Sequence, residues 1–184
     1  MLAGQTRIPA VEVETLPVDM RMTLEEQRKT WGEPLYPYLF YARNPAYFRA
    51  AKAMWDALQD NAKRVPRTLG ALINRRVAWW NRCEYCQDAH AAKSKRFGVS
   101  TEKIEALNEY ARSPLFSAAE KVALEYADVI TDTHRDVDDE LFKRLQQHYD
   151  DDAIAELTMM IAWQNASSRF NHAFHIPSQK FWKR

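Results

Sequence analysis

The sequence contains few residues of the kinds that break helices or cross-link small proteins: among 184 residues there are four glycines and two cysteines. Hairpin-type turn dipeptides and long alternations of apolar and polar residues are also missing, so a β-sheet is not indicated. The sequence therefore predicts an all-α protein built from several helices. At this length a domain can bury a core without disulfides, so the cysteines are not needed to hold the fold together.

Strong charge of one sign is missing as well. The 26 Lys and Arg residues oppose 25 Asp and Glu residues, and the two kinds are interspersed. This balance indicates neither nucleic acid nor a membrane surface as a partner. The N-terminal stretch carries an arginine and acidic residues where a secretory peptide needs an apolar segment, and no run approaches the roughly 20 apolar residues of a membrane span. We therefore expect a soluble, cytoplasmic protein.

Helix periodicity and helix-capping residues divide the chain. Residues 1–22 contain two prolines and no helical period, which predicts an extended N-terminal arm, and residues 23–184 then form a single helical domain. Thr23 and Ser117 are each followed three residues later by a glutamate, the spacing of a capping box. Further helices are predicted from Pro45 onward, over about 67–80, 83–97 and 138–149, and from residue 151 towards the C-terminus.

Both cysteines lie in one Cys-x-x-Cys motif, and a histidine follows four residues later. Because an α-helix turns by about 100° per residue, Cys83, Cys86 and His90 fall on one face, where the imidazole can reach a thiol. A neighbouring base or a helix N-terminus raises the thiolate fraction, and a second cysteine at this spacing can close a disulfide with an oxidised first one. The motif is therefore typical of thiol redox chemistry or peroxide reduction.

The stretch "LINRRVAWWNRCEYCQDAHAAKSKRFGVS" resembles the core of the carboxymuconolactone decarboxylase and alkylhydroperoxidase D superfamily, whose mark is Cys-x-x-Cys-x-x-x-His after a hydrophobic helix. The order of the flanking segments is similar too. The resemblance implies an alkylhydroperoxidase D-like fold that assembles as a homo-oligomer, a trimer or a hexamer. It also implies thiol-dependent reduction of a hydroperoxide substrate, with a dithiol reductant such as dihydrolipoamide or a thioredoxin-like protein.

By the same resemblance, Cys86 attacks the peroxide, Cys83 resolves the sulfenic acid and His90 relays the proton. Position within the helix favours Cys83 instead as the more acidic thiol, because it lies nearer the helix start. The sequence also departs from the peroxidase pattern at Ala71, where the peroxidase has the glutamate that starts its proton relay. Loss of a general base typically costs about 10²- to 10⁴-fold in rate, so a weak or redirected activity is expected.

Other side chains are candidates for a pocket. Trp79 shares the helix face of Cys83, and Tyr85 lies between the cysteines. An apolar stripe on the C-terminal helix continues through polar residues, which need partners or a wet cavity when they face a core. Asn165, Arg169 and His172 are the pocket or interface candidates of that stripe. Core packing of Trp79 and a purely structural hydrogen-bond network on the last helix are the alternatives.

Three other functions fit parts of the pattern. His172 and His175, three residues apart, could join the cysteines in a Cys₂His₂ zinc site, although we assign no metal because the helix ends there. A non-redox enzyme like the family's decarboxylases would not need the cysteine pair. An interaction protein with this fold would show no more thiol reactivity than a free cysteine. No Gly-rich phosphate loop occurs, so no organic or nucleotide cofactor is indicated.

Overall fold

The computed structural model describes residues 5–60 and 64–183, and within these ranges it contains helices and no strand. The predicted all-α class is therefore confirmed. The helices are α1 (Val18–Trp31), α2 (Tyr36–Tyr41), α3 (Pro45–Asp60), α4 (Arg67–Trp80), α5 (Glu84–Arg96), α6 (Thr101–Glu105), α7 (Ala118–Thr131), α8 (Asp139–Gln146) and α9 (Asp151–Ala173). None of them, over the described ranges, has the length and hydrophobicity needed to cross a bilayer.

Helix α4 lies at the centre of the fold and packs against α5, α7 and α9. Its side chains Leu72, Ile73 and Val77 are fully buried, and burial of each contributes about 1.5–3 kcal/mol. Gly70 permits the close approach of α9, because a Cβ at this position would lie 3.1 Å from the side chain of Met160. This central packing fixes the end of α4, which leads directly into the cysteine motif.

Two smaller apolar clusters complete the interior. One joins α1, α2 and α3 through side chains that include Met20, Leu24 and Phe48. The other surrounds the cysteines and includes Phe40 and Ile176. The cysteine motif therefore lies where the N-terminal helices, the central helix and the C-terminal segment meet.

Most predicted helix limits are confirmed. Helix α4 has the predicted limits, Gly98 follows the end of α5 with a φ of +92°, and Ser117 forms the predicted capping box with Glu120. A glycine suits that position because the left-handed backbone region costs it nothing.

The predicted capping box at Thr23 is wrong. Helix α1 already begins at Val18, and the Thr23 hydroxyl donates to the backbone carbonyl of Asp19 inside the helix. The arm predicted for residues 1–22 thus includes the first residues of α1. The division of the chain into an arm and one helical domain stays a prediction.

The segment after α9 folds back along α5. The Asp88 carboxylate accepts hydrogen bonds from the Ser178 hydroxyl and from the backbone N–H groups of Phe181 and Trp182. Gln179 bonds to the backbone of the α1–α2 connection. The C-terminal segment therefore fastens the helix that carries the cysteines to the N-terminal part of the fold.

Candidate active site

The two cysteines lie at the N-terminus of α5 and are joined in a disulfide, with their Cα atoms 5.3 Å apart. Arg82 turns the chain out of α4 with a φ of +54°, and Cys83 caps α5 by accepting the N–H of Cys86 on its Sγ at 3.1 Å. Both cysteines are buried. A helix N-terminus favours negative charge, so a reduced sulfur in this position is favoured as a thiolate.

His90 lies one turn beyond Cys86 and is buried. Its Nε2 is 2.8 Å from Oε1 of Gln164, whose own amide nitrogen donates to Ser168. This network assigns the ring proton to Nε2, and Nδ1 is left as a buried acceptor without a partner. Burial, and then the charge of Lys93, holds the pKa of His90 well below its ordinary value, so the ring is a neutral base at neutral pH.

A second amide from α9 reaches the sulfur. Asn171 is buried, and its Nδ2 donates to Sγ of Cys86 at 3.2 Å, while its Oδ1 has no partner. Asn171 and Gln164 are seven residues apart, about two turns of helix. Helix α9 thus presents one amide to the sulfur and one to the imidazole. Once the disulfide is reduced, the Asn171 N–H can stabilise a thiolate on Cys86.

A small cavity of about 90 Å³ borders Cys86, and His90 and Lys93 line it along the same face of α5. Burial lowers the pKa of Lys93 to about 8, and its Nζ lies 5.2 Å from the ring centre of Trp55. The remaining lining residues are Leu35, Pro37, Tyr38, Tyr41, Trp55, Tyr85, Ala89 and Ser167.

The tyrosines of this cavity are uncharged. Burial raises the pKa of Tyr41 to about 12, although a hydrogen bond with Ser167 acts in the opposite direction. Burial also raises the pKa of Tyr38 and of Tyr85. The walls of the Cys86 cavity are therefore aromatic and neutral, apart from Lys93.

Cys83 borders a different, wider cleft of about 510 Å³. The other residues that line this Cys83 cleft are Gln5, Arg82, Glu84, His172, His175, Ile176 and Pro177. The exposed His172 donates from Nδ1 to the carbonyl oxygen of Arg82 at 3.1 Å. The disulfide therefore separates a small aromatic cavity from a larger cleft that contains polar and charged side chains.

The alternative of a zinc site in this cleft is not supported. The ring centres of His172 and His175 lie 6.2 Å apart, and Cys83 is bonded to Cys86. Over residues 5–60 and 64–183, no group of three or more His, Cys, Asp or Glu side chains is arranged to hold a metal ion. In this oxidised form both cysteine sulfurs are bonded to each other and are not available as zinc ligands.

The structure places the residues predicted for a pocket in different parts of the molecule. Tyr85 lines the Cys86 cavity and His172 lines the Cys83 cleft. Trp79 instead contacts Trp80 edge to face at the surface, with 42% of its area exposed. Asn165 bonds to Asn81 and Thr131, and Arg169 is exposed. The structure therefore places Trp79, Asn165 and Arg169 outside both the cavity and the cleft.

The sequence interpretation missed several residues of the site: Lys93, Trp55, Gln164 and Asn171. Lys93 lies seven residues after Cys86, two turns along the same helix face, and this spacing could have identified it. Trp55 comes from α3, and only the tertiary packing brings it to α5.

The chain thus has an all-helical fold that buries a Cys-x-x-Cys disulfide at a helix N-terminus, with a histidine one turn further on. Residues 45–129 match the carboxymuconolactone decarboxylase family. The chain is also 35% identical over 164 residues to the uncharacterized protein YnjA of Escherichia coli K12, which covers 89% of this chain and 90% of YnjA. The chain belongs to the carboxymuconolactone decarboxylase family.

Solved structures share the fold. One is the alkylhydroperoxidase AhpD core of an uncharacterized peroxidase-related protein from Ralstonia eutropha JMP134, with a TM-score of 0.84 and 22% identity over 96% of this chain and 94% of that one. Another is a cysteine-to-alanine variant of the debrominase Bmp8 in complex with 2,3,4-tribromopyrrole, with a TM-score of 0.81 and 22% identity over 92% of this chain and 90% of that one.

Proposed function

We propose that the protein is a thiol-dependent, peroxidase-like oxidoreductase that reduces hydroperoxides through a dithiol/disulfide cycle of Cys83 and Cys86. The observation that carries the proposal is the disulfide itself, which borders a small cavity together with the neutral base His90. A cysteine pair needed only for stability would not require either feature.

The cycle has three steps. His90 first accepts the thiol proton of Cys86, and the resulting thiolate attacks the terminal oxygen of the hydroperoxide. The O–O bond breaks, Cys86 becomes a sulfenic acid, and the leaving oxygen takes up a proton and departs as an alcohol. The Cys83 thiol then attacks the sulfenic sulfur, which releases water and closes the disulfide. Finally, a dithiol donor reduces the disulfide and is itself oxidised.

The two openings support Cys86 as the attacking residue. Cys86 shares the small cavity with His90, and its sulfur accepts the Asn171 N–H. Cys83 borders the larger cleft, where a larger reductant such as dihydrolipoamide or a thioredoxin-like protein has more room. Assembly as a trimer or hexamer and a cytoplasmic location remain part of this proposal.

The experiment is intact-mass measurement of the reduced protein before and after one equivalent of hydrogen peroxide or tert-butyl hydroperoxide. We expect the wild-type protein to lose two hydrogens rapidly. The Cys83→Ser variant should gain one oxygen on Cys86, and the Cys86→Ser variant should stay unmodified. Thiols that react no faster than a free cysteine would overturn the proposal and would favour a non-redox or interaction role.

The aromatic walls of the Cys86 cavity favour one second candidate, reductive dehalogenation of a small aromatic compound. Two thiols can convert an aryl bromide into the arene, bromide and a proton while they form a disulfide. The debrominase Bmp8 shares the fold of this chain. Bromide release from a bromopyrrole by the reduced protein, lost in Cys86→Ser, is the expected result for this candidate.

A further inference from the structure

Lys93 is a half-buried cation in the Cys86 cavity, and the proposed cycle assigns it no role. Its ammonium lies against the ring of Trp55, with 5.2 Å between Nζ and the ring centre. In the part of the chain that the structure describes, Lys93 forms no salt bridge and donates no hydrogen bond. A charge removed from water in this way is normally paired. Lys93 therefore has donors available for a ligand.

The other groups that line the cavity with this ammonium are neutral. Trp55 comes from α3, Tyr38 and Tyr41 from α2, and Ser167 from α9. On α5 itself, His90 and Tyr85 are uncharged for the reasons given above. An aromatic face attracts a cation but leaves its charge in place. An anion that enters the cavity thus meets one positive charge and no lining carboxylate.

We propose that Lys93 forms an anion subsite in the Cys86 cavity, which holds a small carboxylate, and that the substrates selected by this subsite are acyl hydroperoxides (peroxy acids). The inference rests on the proposed function and specifies its substrate class. The small cavity, of about 90 Å³, agrees with a short acyl chain.

The chemistry of this class matches the site. The Cys86 thiolate attacks the terminal oxygen of the peroxy acid, the O–O bond breaks, and its electron pair leaves with the carboxylate. The sulfur keeps the OH group as a sulfenic acid, so the leaving group needs no proton. An alkyl hydroperoxide leaves as a strongly basic alkoxide, which must take up the proton that His90 has accepted. A carboxylate leaves without a proton and can be stabilised by the ammonium of Lys93.

The first measurement is of binding and does not depend on peroxide reduction. In the Cys83→Ser variant, Cys86 is alkylated with the neutral reagent iodoacetamide in sodium acetate or in sodium chloride of equal ionic strength. We expect acetate to slow alkylation in a saturable way, and Lys93→Met to remove this protection. Lys93→Arg should retain the protection, and so should Lys95→Met, which removes an exposed cation of the same helix.

Because the pKa of Lys93 is about 8, protection of Cys86 by acetate should decline as the pH rises through that value. Protection that is absent, or unchanged in Lys93→Met, would overturn the subsite.

The second measurement compares the oxidation rates of Cys86 by peracetic acid and by tert-butyl hydroperoxide. We expect Lys93→Met to lower the first rate about tenfold relative to the second, the effect of losing one charge-assisted hydrogen bond. An equal decrease for both peroxides would mean that Lys93 acts only on the thiolate, and would overturn the substrate class. If wild-type Cys86 reacts with neither peroxide faster than a free cysteine, the proposed function fails, and acetate protection still decides whether the subsite exists.

Discussion

Two buried polar clusters flank α4, and they differ in how completely their groups are paired. In the first, the Asp128 carboxylate accepts Nε and Nη2 of Arg76 at 2.7 and 2.9 Å, and it also accepts the Trp80 and Tyr110 side chains. In the second, around Cys86, the Nδ1 of His90 and the Oδ1 of Asn171 have no partner.

This difference indicates what each cluster does. In a fully paired buried cluster a substitution lowers the stability of the fold, because the removal of one member leaves a buried charge without compensation. An incompletely paired cluster keeps acceptors available for a ligand or a proton, at some cost in stability. We therefore expect changes around Asp128 to reduce stability and changes around Cys86 to reduce chemical reactivity.

The largest expected effect is that of Asp128→Ala. It leaves the Arg76 guanidinium buried without a carboxylate, which should lower the free energy of unfolding by about 3–5 kcal/mol. Urea unfolding measures the change. Glu125→Ala, which breaks the more exposed pair with Arg144, is the matched control and should cost less than about 1 kcal/mol. Similar losses in the two variants would contradict the contrast between the clusters.

The next effect is on rate. The double variant His90→Leu, Gln164→Leu removes both partners of the His90–Gln164 hydrogen bond and leaves the Ser168 hydroxyl without its Gln164 donor, so its free energy of unfolding should fall by about 1–3 kcal/mol. The rate of Cys86 oxidation by peroxide should fall about 10²-fold, because the general base is gone. Stopped-flow oxidation and urea unfolding together measure the two effects. A large loss of stability with an unchanged rate would assign the pair a structural role.

The two clusters and the helices around them also show which parts of the structure can be predicted from the sequence. The helices around the motif were predictable because their limits are marked by local chemistry, as at Ser117 and Gly98. Thr23 shows the limit of such signals: its glutamate has the capping-box spacing, but the threonine hydroxyl bonds to a carbonyl inside α1. A capping box can be recognised only if the helix start is known by other means.

The polar face of α9 shows a second limit. From Ile161, positions three and four residues further on lie on the same side of a helix, so the sequence allowed either Gln164 or Asn165. The interpretation followed Asn165 and thus arrived at Arg169, which is exposed, whereas Gln164 and Asn171 face the site. Only the packing of α9 against α5 decides which of these two sets of positions faces the site.

Asn171→Leu should have a smaller effect than loss of the base. In the Cys83→Ser background, loss of the N–H donor to Cys86 should lower the alkylation rate at neutral pH about three- to tenfold, because one hydrogen bond to a charged sulfur is lost. Asn165→Leu is the matched control, since this asparagine on the same helix bonds to Thr131 and Asn81. Equal rates in the two variants would show that Asn171 only fills space.

The smallest expected effect is on the pKa of His90 in the cluster around Cys86. Burial is the main cause of the low pKa of His90, and the positive charge of Lys93 is the second. Lys93→Met removes a charge that disfavours the imidazolium ion, so it should raise the pKa of His90. The ring should still be neutral at neutral pH, because burial remains.

Titration of the His90 ring resonances by NMR measures the shift of the His90 pKa. Lys95→Met, which removes an exposed charge of α5, should leave that pKa unchanged. If both variants shift the titration equally, Lys93 acts as part of the general field of the helix and not as a specific neighbour of His90. In the Asp128 cluster, charged groups act on each other through direct hydrogen bonds. A shift of the His90 pKa that occurs only in Lys93→Met would show that in the Cys86 cluster a charge acts on the base across the cavity.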